Sequence, residues 1–157
     1  KTQKKTIFII DDSSFYRLLL TNTLKRKGYH VQSFSTGEKA LRFAAMNPSV
    51  VIIDYHLNSL NKYAQSGDII ASIFKKKAPD SKIILMSSNK DFKLISNLKF
   101  INHIIYKDSF AFQKIQSRIS VELNKVVQTK LKINIFFTSV SILILLLLIF
   151  YLLTGAY

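Results

Sequence analysis

Four short apolar runs in this sequence end in residues that can do chemistry: IFIIDD closes on Asp11 and Asp12, VVIID on Asp54, IILMSS on Ser87 and Ser88, and IIYK on Lys107. Three carboxylates brought together repel one another by roughly a few kcal/mol unless a cation compensates them. Their hard oxygens suit Mg²⁺ in a site that keeps some waters and receives phosphate oxygens. A hydroxyl and an ammonium on the same rim would complete a cradle for a phosphoryl group, the hydroxyl donating a hydrogen bond and the lysine supplying point charge. Each residue alone has an ordinary structural explanation. Aspartate at a strand end caps the next helix, serines form turns, and a lone lysine is a solvated charge. Their chemistry therefore depends on convergence. His30, His56 and His103 are scattered without metal-ligand spacing. No glycine-rich phosphate loop, nucleophile elbow or HExxH motif occurs, so an enzyme with a metabolite substrate of its own is not expected.

The elements around these residues supply a reason for convergence. Thr6 to Ile10 is an apolar run, followed by cap-forming Asp11 to Ser14 and a helical pattern in Phe15, Leu18, Leu19, Leu20 and Leu24 that stops at Gly28. The same grammar recurs in His30 to Phe34 with Gly37 to Asn47, and in Val50 to Asp54 with Ser66 to Lys77. It recurs again in Lys82 to Met86 with Asp91 to Lys99, and in His103 to Tyr106 with a helix from Ser109. Strands that are apolar throughout, rather than alternating, are required by a parallel sheet covered on both faces. The expected fold class is α/β, a five-stranded, doubly wound parallel sheet of the flavodoxin-like (βα)5 kind. In such sheets functional groups gather beyond the carboxyl ends of the strands, where Asp11, Asp12, Asp54, Ser87 and Lys107 stand.

The pieces IFIIDDSS, VVIIDY, IILMSS and IIYKDS, in that order, resemble the response regulator receiver domain of two-component signalling over about residues 5 to 125. The resemblance implies that Asp54 is the phosphoacceptor, attacking a phosphohistidine on a histidine kinase or histidine phosphotransfer protein. It implies Mg²⁺ held by Asp11, Asp12, Asp54 and the backbone carbonyl of His56, with Asp12 the more direct ligand and Asp11 acting largely through water. Ser87 matches the switch hydroxyl and Lys107 the lysine that pairs with the phosphoryl group. His56, Ser88 and Asn89 occupy positions that tune the lifetime of the phosphoryl group. The sequence also departs from the family pattern. Ile104 stands at the switch position where an aromatic is usual, although Tyr106 lies on the same strand face. Asp108 replaces the common proline after the lysine, and the loop between Asp54 and Gly67 is long, lacks its proline and is expected to be mobile.

Composition adds a second region. The 157 residues carry 23 Lys and Arg against 9 Asp and Glu, a formal charge of +14, yet 48% are hydrophobic and none is Cys. Disorder, a disulfide scaffold and Cys-ligated metal are excluded. The charges lie at or before Lys132, and the stretch Ile135 to Leu153 has none over 19 residues. Such a helix is about 28 Å long, close to a bilayer core of about 30 Å. The expected organisation is a basic tail at 1–5, a receiver domain at 6–124, a basic juxtamembrane segment at 125–132, a transmembrane helix at 133–153 and a short extracytoplasmic tail at 154–157. Lys125, Lys130 and Lys132 before the span favour a single-pass protein of the inner (cytoplasmic) membrane with the receiver domain in the cytoplasm. The lysine clusters favour anionic lipid headgroups over nucleic acid. The unpunctuated sequence from Ser109 to Thr154 leaves room for a continuous helix and a homodimer. The leading expectation is a membrane-tethered, stand-alone receiver. Its alternatives are an unphosphorylated docking module and an Mg²⁺-dependent phosphohydrolase, the latter lacking a second carboxylate where His56 sits.

Overall fold

The computed structural model of this chain describes residues 5–57, 63–88 and 98–155, with the side chains of Val126, Val127 and Lys130 outside that description. Strand β1 spans Thr6–Ile10, β2 His30–Phe34, β3 Val50–Asp54, β4 Lys82–Ser87 and β5 His103–Tyr106. Helix α1 spans Ser14–Arg26, α2 Gly37–Leu41, α3 Gly67–Lys77 and α4 Ala111–Thr154. All neighbouring strands pair in parallel, in the order β2-β1-β3-β4-β5. The chain turns outward from β1 to β2 and then resumes on the other side with β3. The carboxyl ends of β1 and β3 therefore lie side by side at the point where the winding reverses.

The continuous apolar runs do what two-sided burial requires. Every residue of β3 is buried, and Phe8, Ile10, Val51, Ile53, Ile83 and Leu85 join Ala40, Ile70 and Phe74 in one core on the face of α2 and α3. By alternation Ile7, Ile9 and Ile52 point to the other face, where Leu20 and Leu24 of α1 are also buried. Gly37 lets α2 approach α3, since a Cβ there would collide with the Ile70 side chain.

The helix expected over Gly37 to Asn47 is broken. It ends at Leu41 and gives way to a single 3-10 turn, Ala44–Met46, with Asn47 left-handed at φ 47°. Phe43, Met46 and Asn47 each donate to a carbonyl three residues back. That tighter winding buries Ala44 while Phe43 lies against Phe34, ring centroids 5.5 Å apart, a tertiary requirement that the helical spacing does not reveal. The last helix begins at Ala111 rather than Ser109. The helix expected over Asp91 to Lys99 lies outside the described residues up to residue 97, and Lys99 lies in a turn. Of the basic tail at 1–5, only Lys5 is described.

The chain divides into two compact units, Lys1–Ile119 and Ser120–Tyr157. In the second, Leu131–Thr154 is a candidate membrane span of 24 residues with mean hydropathy 2.8, none of it buried. Its large apolar side chains from Leu131 to Leu153 are 44–73% exposed. Thr138, Ser139 and Ser141 donate their hydroxyls to the carbonyls of Ile135, Phe136 and Phe137, so these polar groups are satisfied within the helix itself.

Candidate functional site

The rim at the carboxyl ends of the strands gathers the acids. Asp11, the residue after β1, is fully buried, and its Oδ1 accepts from the backbone N–H of Ser13 at 2.8 Å. That local turn sets Ser13 as the N-cap of α1. Asp54, the last residue of β3, is 3% exposed, and its Oδ1 accepts from the His56 backbone N–H at 3.3 Å. The remaining oxygen of each faces the same ammonium. Lys107 Nζ donates to Asp11 Oδ2 at 2.9 Å and to Asp54 Oδ2 at 2.6 Å. The lysine is placed by the sheet, because its backbone N–H donates to the carbonyl of Ser87 at 2.9 Å, tying the end of β5 to the end of β4. Ser87 itself is buried on this rim, at 1% exposure.

Asp12 is half-buried beside the pair, and Asp11, Asp12 and Asp54 can each offer a ligand atom within 4.8 Å of the others. Three carboxylates against one ammonium leave a formal deficit of two positive charges when all are ionised. A divalent cation with hard-oxygen preference matches that deficit and that donor set, so the residues present fit Mg²⁺. The electrostatics agree. Burial raises the Asp11 carboxyl above its ordinary value of 3.8; the Lys107 hydrogen bond opposes this and the charge of Asp54 adds to it. For Lys107, burial alone would lower the ammonium below 10.5, but its hydrogen bonds to Asp54 and Asp11 and their charges outweigh burial and raise it. The lysine is thus held as a cation by the two acids it separates.

The other expected residues are distributed more loosely. His56 is half-buried with its ring edge-on to Tyr55, centroids 4.9 Å apart. Ser88 is exposed, whereas Asn89 lies outside the described residues. Ile104 is partly buried and packs against the core cluster. In the long loop, Leu57 is buried in that core and the Gln65 backbone N–H donates to Glu38 Oε1 at 3.1 Å, while residues 58–62, on which the expectation of mobility rests, lie outside the described residues.

Three contributors escaped sequence reasoning. The Tyr16 ring lies 4.4 Å from Lys107 Nζ and stacks on Phe112, so it walls the ammonium with a π face. Arg17 Nη1 donates to the Asp11 carbonyl at 2.6 Å. Gly67 passes so close to the Asp54 carbonyl that any Cβ would clash with it, and its N–H donates to the Tyr55 carbonyl at 2.8 Å. Their one sequence signal is position: Tyr16 and Arg17 fall in the first turn of the helix after the acidic pair, and Gly67 opens the helix after Asp54.

Comparison with known proteins places this rim in context. The response regulator receiver domain family matches residues 7–119. The chemotaxis protein CheY of Thermotoga maritima is 30% identical over 86 residues, 54% of this chain and 68% of that protein. The transcriptional regulatory protein CssR of Bacillus subtilis is 30% identical over 83 residues, 53% of this chain but 35% of the relative, so this chain matches about a third of that relative's length. Among solved structures, the response regulator protein TrrA from Thermotoga maritima in complex with Mg²⁺-BeF is similar with TM-score 0.64 and 27% identity, over 75% of this chain and 98% of that one. A CheY-like receiver domain from Methanospirillum hungatei shares the fold, with TM-score 0.70 and 18% identity over 81% of this chain and 99% of its own.

Proposed function

Because the chain belongs to the response regulator receiver domain family through its residues 7–119, we propose that it is a phosphoryl-accepting switch held at a membrane by its own C-terminal helix. Receiver domains bind Mg²⁺ at an acidic pocket and work with histidine kinases or phosphotransfer proteins. In this chain Asp54 is the acceptor. One oxygen of its carboxylate attacks the phosphorus of a phosphohistidine, the P–O bond forms as the P–N bond breaks, and the imidazole leaves and is reprotonated. Asp11, Asp12, Asp54 and the His56 carbonyl would hold Mg²⁺, which would supply positive charge to the phosphoryl oxygens. Lys107 orients Asp54 before transfer, then moves its hydrogen bond to a phosphoryl oxygen, and Ser87 supplies a hydroxyl donor from the neighbouring strand end. By the family pattern His56, Ser88 and Asn89 tune water access to the acyl phosphate, and Ile104 stands where an aromatic switch is usual. No separate substrate is required, and the output is a changed protein-interaction surface.

The observation that carries this reading is the shared ammonium: Lys107 bridges Asp11 and Asp54 from across the sheet, at 2.9 and 2.6 Å. The membrane part is supported by the exposed apolar helix Leu131–Thr154, with Lys125 and Lys130 before it and Lys132 in its first turn, a polarity that favours a cytoplasmic receiver domain at the inner membrane. Intact-mass measurement of the full chain in detergent, given a small-molecule phosphodonor with and without Mg²⁺, tests the switch. One phosphoryl group is expected with Mg²⁺ and none in Asp54→Asn. A folded protein that gains nothing under any condition leaves a membrane-bound docking module instead, and turnover of many equivalents of donor would favour a phosphohydrolase.

A further inference from the structure

The acids of the first unit gather along one edge of its sheet. Six of the nine acids, Asp11, Asp12, Glu38, Asp54, Asp68 and Asp108, lie at strand ends or helix starts along the carboxyl edge. The opposite edge, where the strands begin, is basic. In a parallel sheet each connecting helix runs back toward that edge, so α1 ends there with Lys25, Arg26 and Lys27, and α3 with Lys75, Lys76 and Lys77. Asp80 is the acid beside them.

Cations at helix ends often serve the helix itself, but here that work is done by other groups. Helix α1 is closed by its backbone: Gly28, at φ 85°, donates to Lys25 O and Tyr29 donates to Leu24 O. Helix α3 is closed by its backbone as well, the Ala78 N–H donating to the Phe74 carbonyl at 2.7 Å, and the Lys75 ammonium is taken up by the carbonyls of Pro79 and Ser81 in the turn that follows. Lys25, Arg26, Lys27, Lys76 and Lys77 are left exposed, and none forms an ion pair among the described residues. Helices α1 and α3 cover opposite faces of the sheet, so the two clusters bracket its edge rather than form one stripe. The first turns of α4 follow β5, and Ile115 and Ile119 are buried within this unit.

We propose that the basic edge formed by Lys25, Arg26, Lys27, Lys76 and Lys77 docks on the anionic lipid headgroups of the bilayer that holds the chain's own span. This rests on the membrane tether proposed above. The complementarity is electrostatic, each basic side chain multiplying the docked population by about fivefold near an anionic surface. Docking by this edge turns the acidic rim away from the bilayer, where like charge would repel it, and leaves Asp54 open to a donor protein.

The chain has no cysteine, so single labels can be placed at will. In the full chain reconstituted into vesicles, Pro79→Cys marks the basic edge and Ser109→Cys the acidic rim, and quenching by headgroup-labelled lipid reports contact. The expected result is strong quenching at position 79 in phosphatidylglycerol-containing vesicles. It should be weak in phosphatidylcholine, weak at position 109 in both, and lost when Lys25, Arg26, Lys76 and Lys77 are all changed to Gln. A chain that fails to float with either vesicle would overturn the tether and this docking together. A chain that floats with both but shows equal quenching at 79 and 109, or no dependence on lipid charge, would overturn the docking alone. So would binding of duplex DNA through the same four residues without lipid contact.

Discussion

Lys107 and Lys114 each contact an aspartate at 2.6 Å, yet the two contacts do different things. Lys107 is 9% exposed and lies between Asp11 and Asp54, at 0% and 5%, whereas Lys114 and Asp108 are 47% and 42% exposed. Distance therefore says little about strength. Around the exposed pair, water and salt screen the attraction and both side chains forfeit rotamer freedom to make it. Around the buried set, screening is weak, desolvation is costly, and removing one member leaves charges with no partner. The carboxylates of the rim gain from this a fixed orientation and a standing demand for positive charge.

The largest effect expected from breaking this contrast is that of Lys107→Met. It strands two buried carboxylates and should cost about 3–5 kcal/mol in thermal unfolding of the full chain in detergent without divalent cations. Added Mg²⁺ should recover more of that loss than it adds to the parent protein. Next comes Gly67→Ala, which changes no charge but drives a Cβ into the Asp54 carbonyl. A loss of about 1–3 kcal/mol is expected, together with reduced phosphorylation by a small-molecule donor. Tyr16→Leu keeps the apolar bulk and removes the π face over Lys107, with an expected cost of about 1 kcal/mol measured the same way. The smallest effect is that of Lys114→Gln, for which no change in the unfolding midpoint is expected.

The pH dependence of the two sites should differ in sign as well as size. The hydrogen bond from Lys114 holds Asp108 below its ordinary 3.8, so what that pair contributes is present above 3.8 and fades as pH falls through the lower folded value. NMR titration of the Asp108 carboxyl carbon should show it move back up in Lys114→Gln. Lys107 is raised above 10.5, so its contribution is complete below 10.5 and is lost as pH rises through the higher folded value. Alkaline unfolding should consequently begin at lower pH in Asp54→Asn, where the strongest hydrogen-bond partner of the lysine has lost its charge.

Much of this was legible because strand ends are legible. The runs IFII, VVII and KIILM stop at polar residues, and a parallel sheet puts such stops on one edge, so Asp11, Asp12, Asp54, Ser87 and Lys107 were found without coordinates. The apolar helix was equally plain, since a stretch without a polar face has no way to pack on one side of a soluble domain. The break of α2 at Leu41 was not legible, because the apolar spacing continues through it, and the turn that follows buries Ala44 and sets Phe43 beside Phe34 only in the folded chain. Tyr16, Arg17 and Gly67 were missed for a related reason: nothing in their own neighbourhoods is unusual, and their roles arise where α1 and α3 meet the sheet.

Two apolar segments show where the division falls. VVIID and ILILLLLIF are both legible in sequence as apolar segments, a property of side-chain chemistry that needs no partner to define it. What covers each was decided in three dimensions. The five residues of β3 are sealed by helices on both faces, whereas Leu131–Thr154 of the long helix is not buried among the described residues and is a candidate membrane span. The same holds for the charges. Composition fixed that this chain is strongly basic with few acids, but only the winding of a parallel sheet sent most of the acids to one edge and the lysine clusters that end α1 and α3 to the other, because every strand points one way and every connecting helix must return.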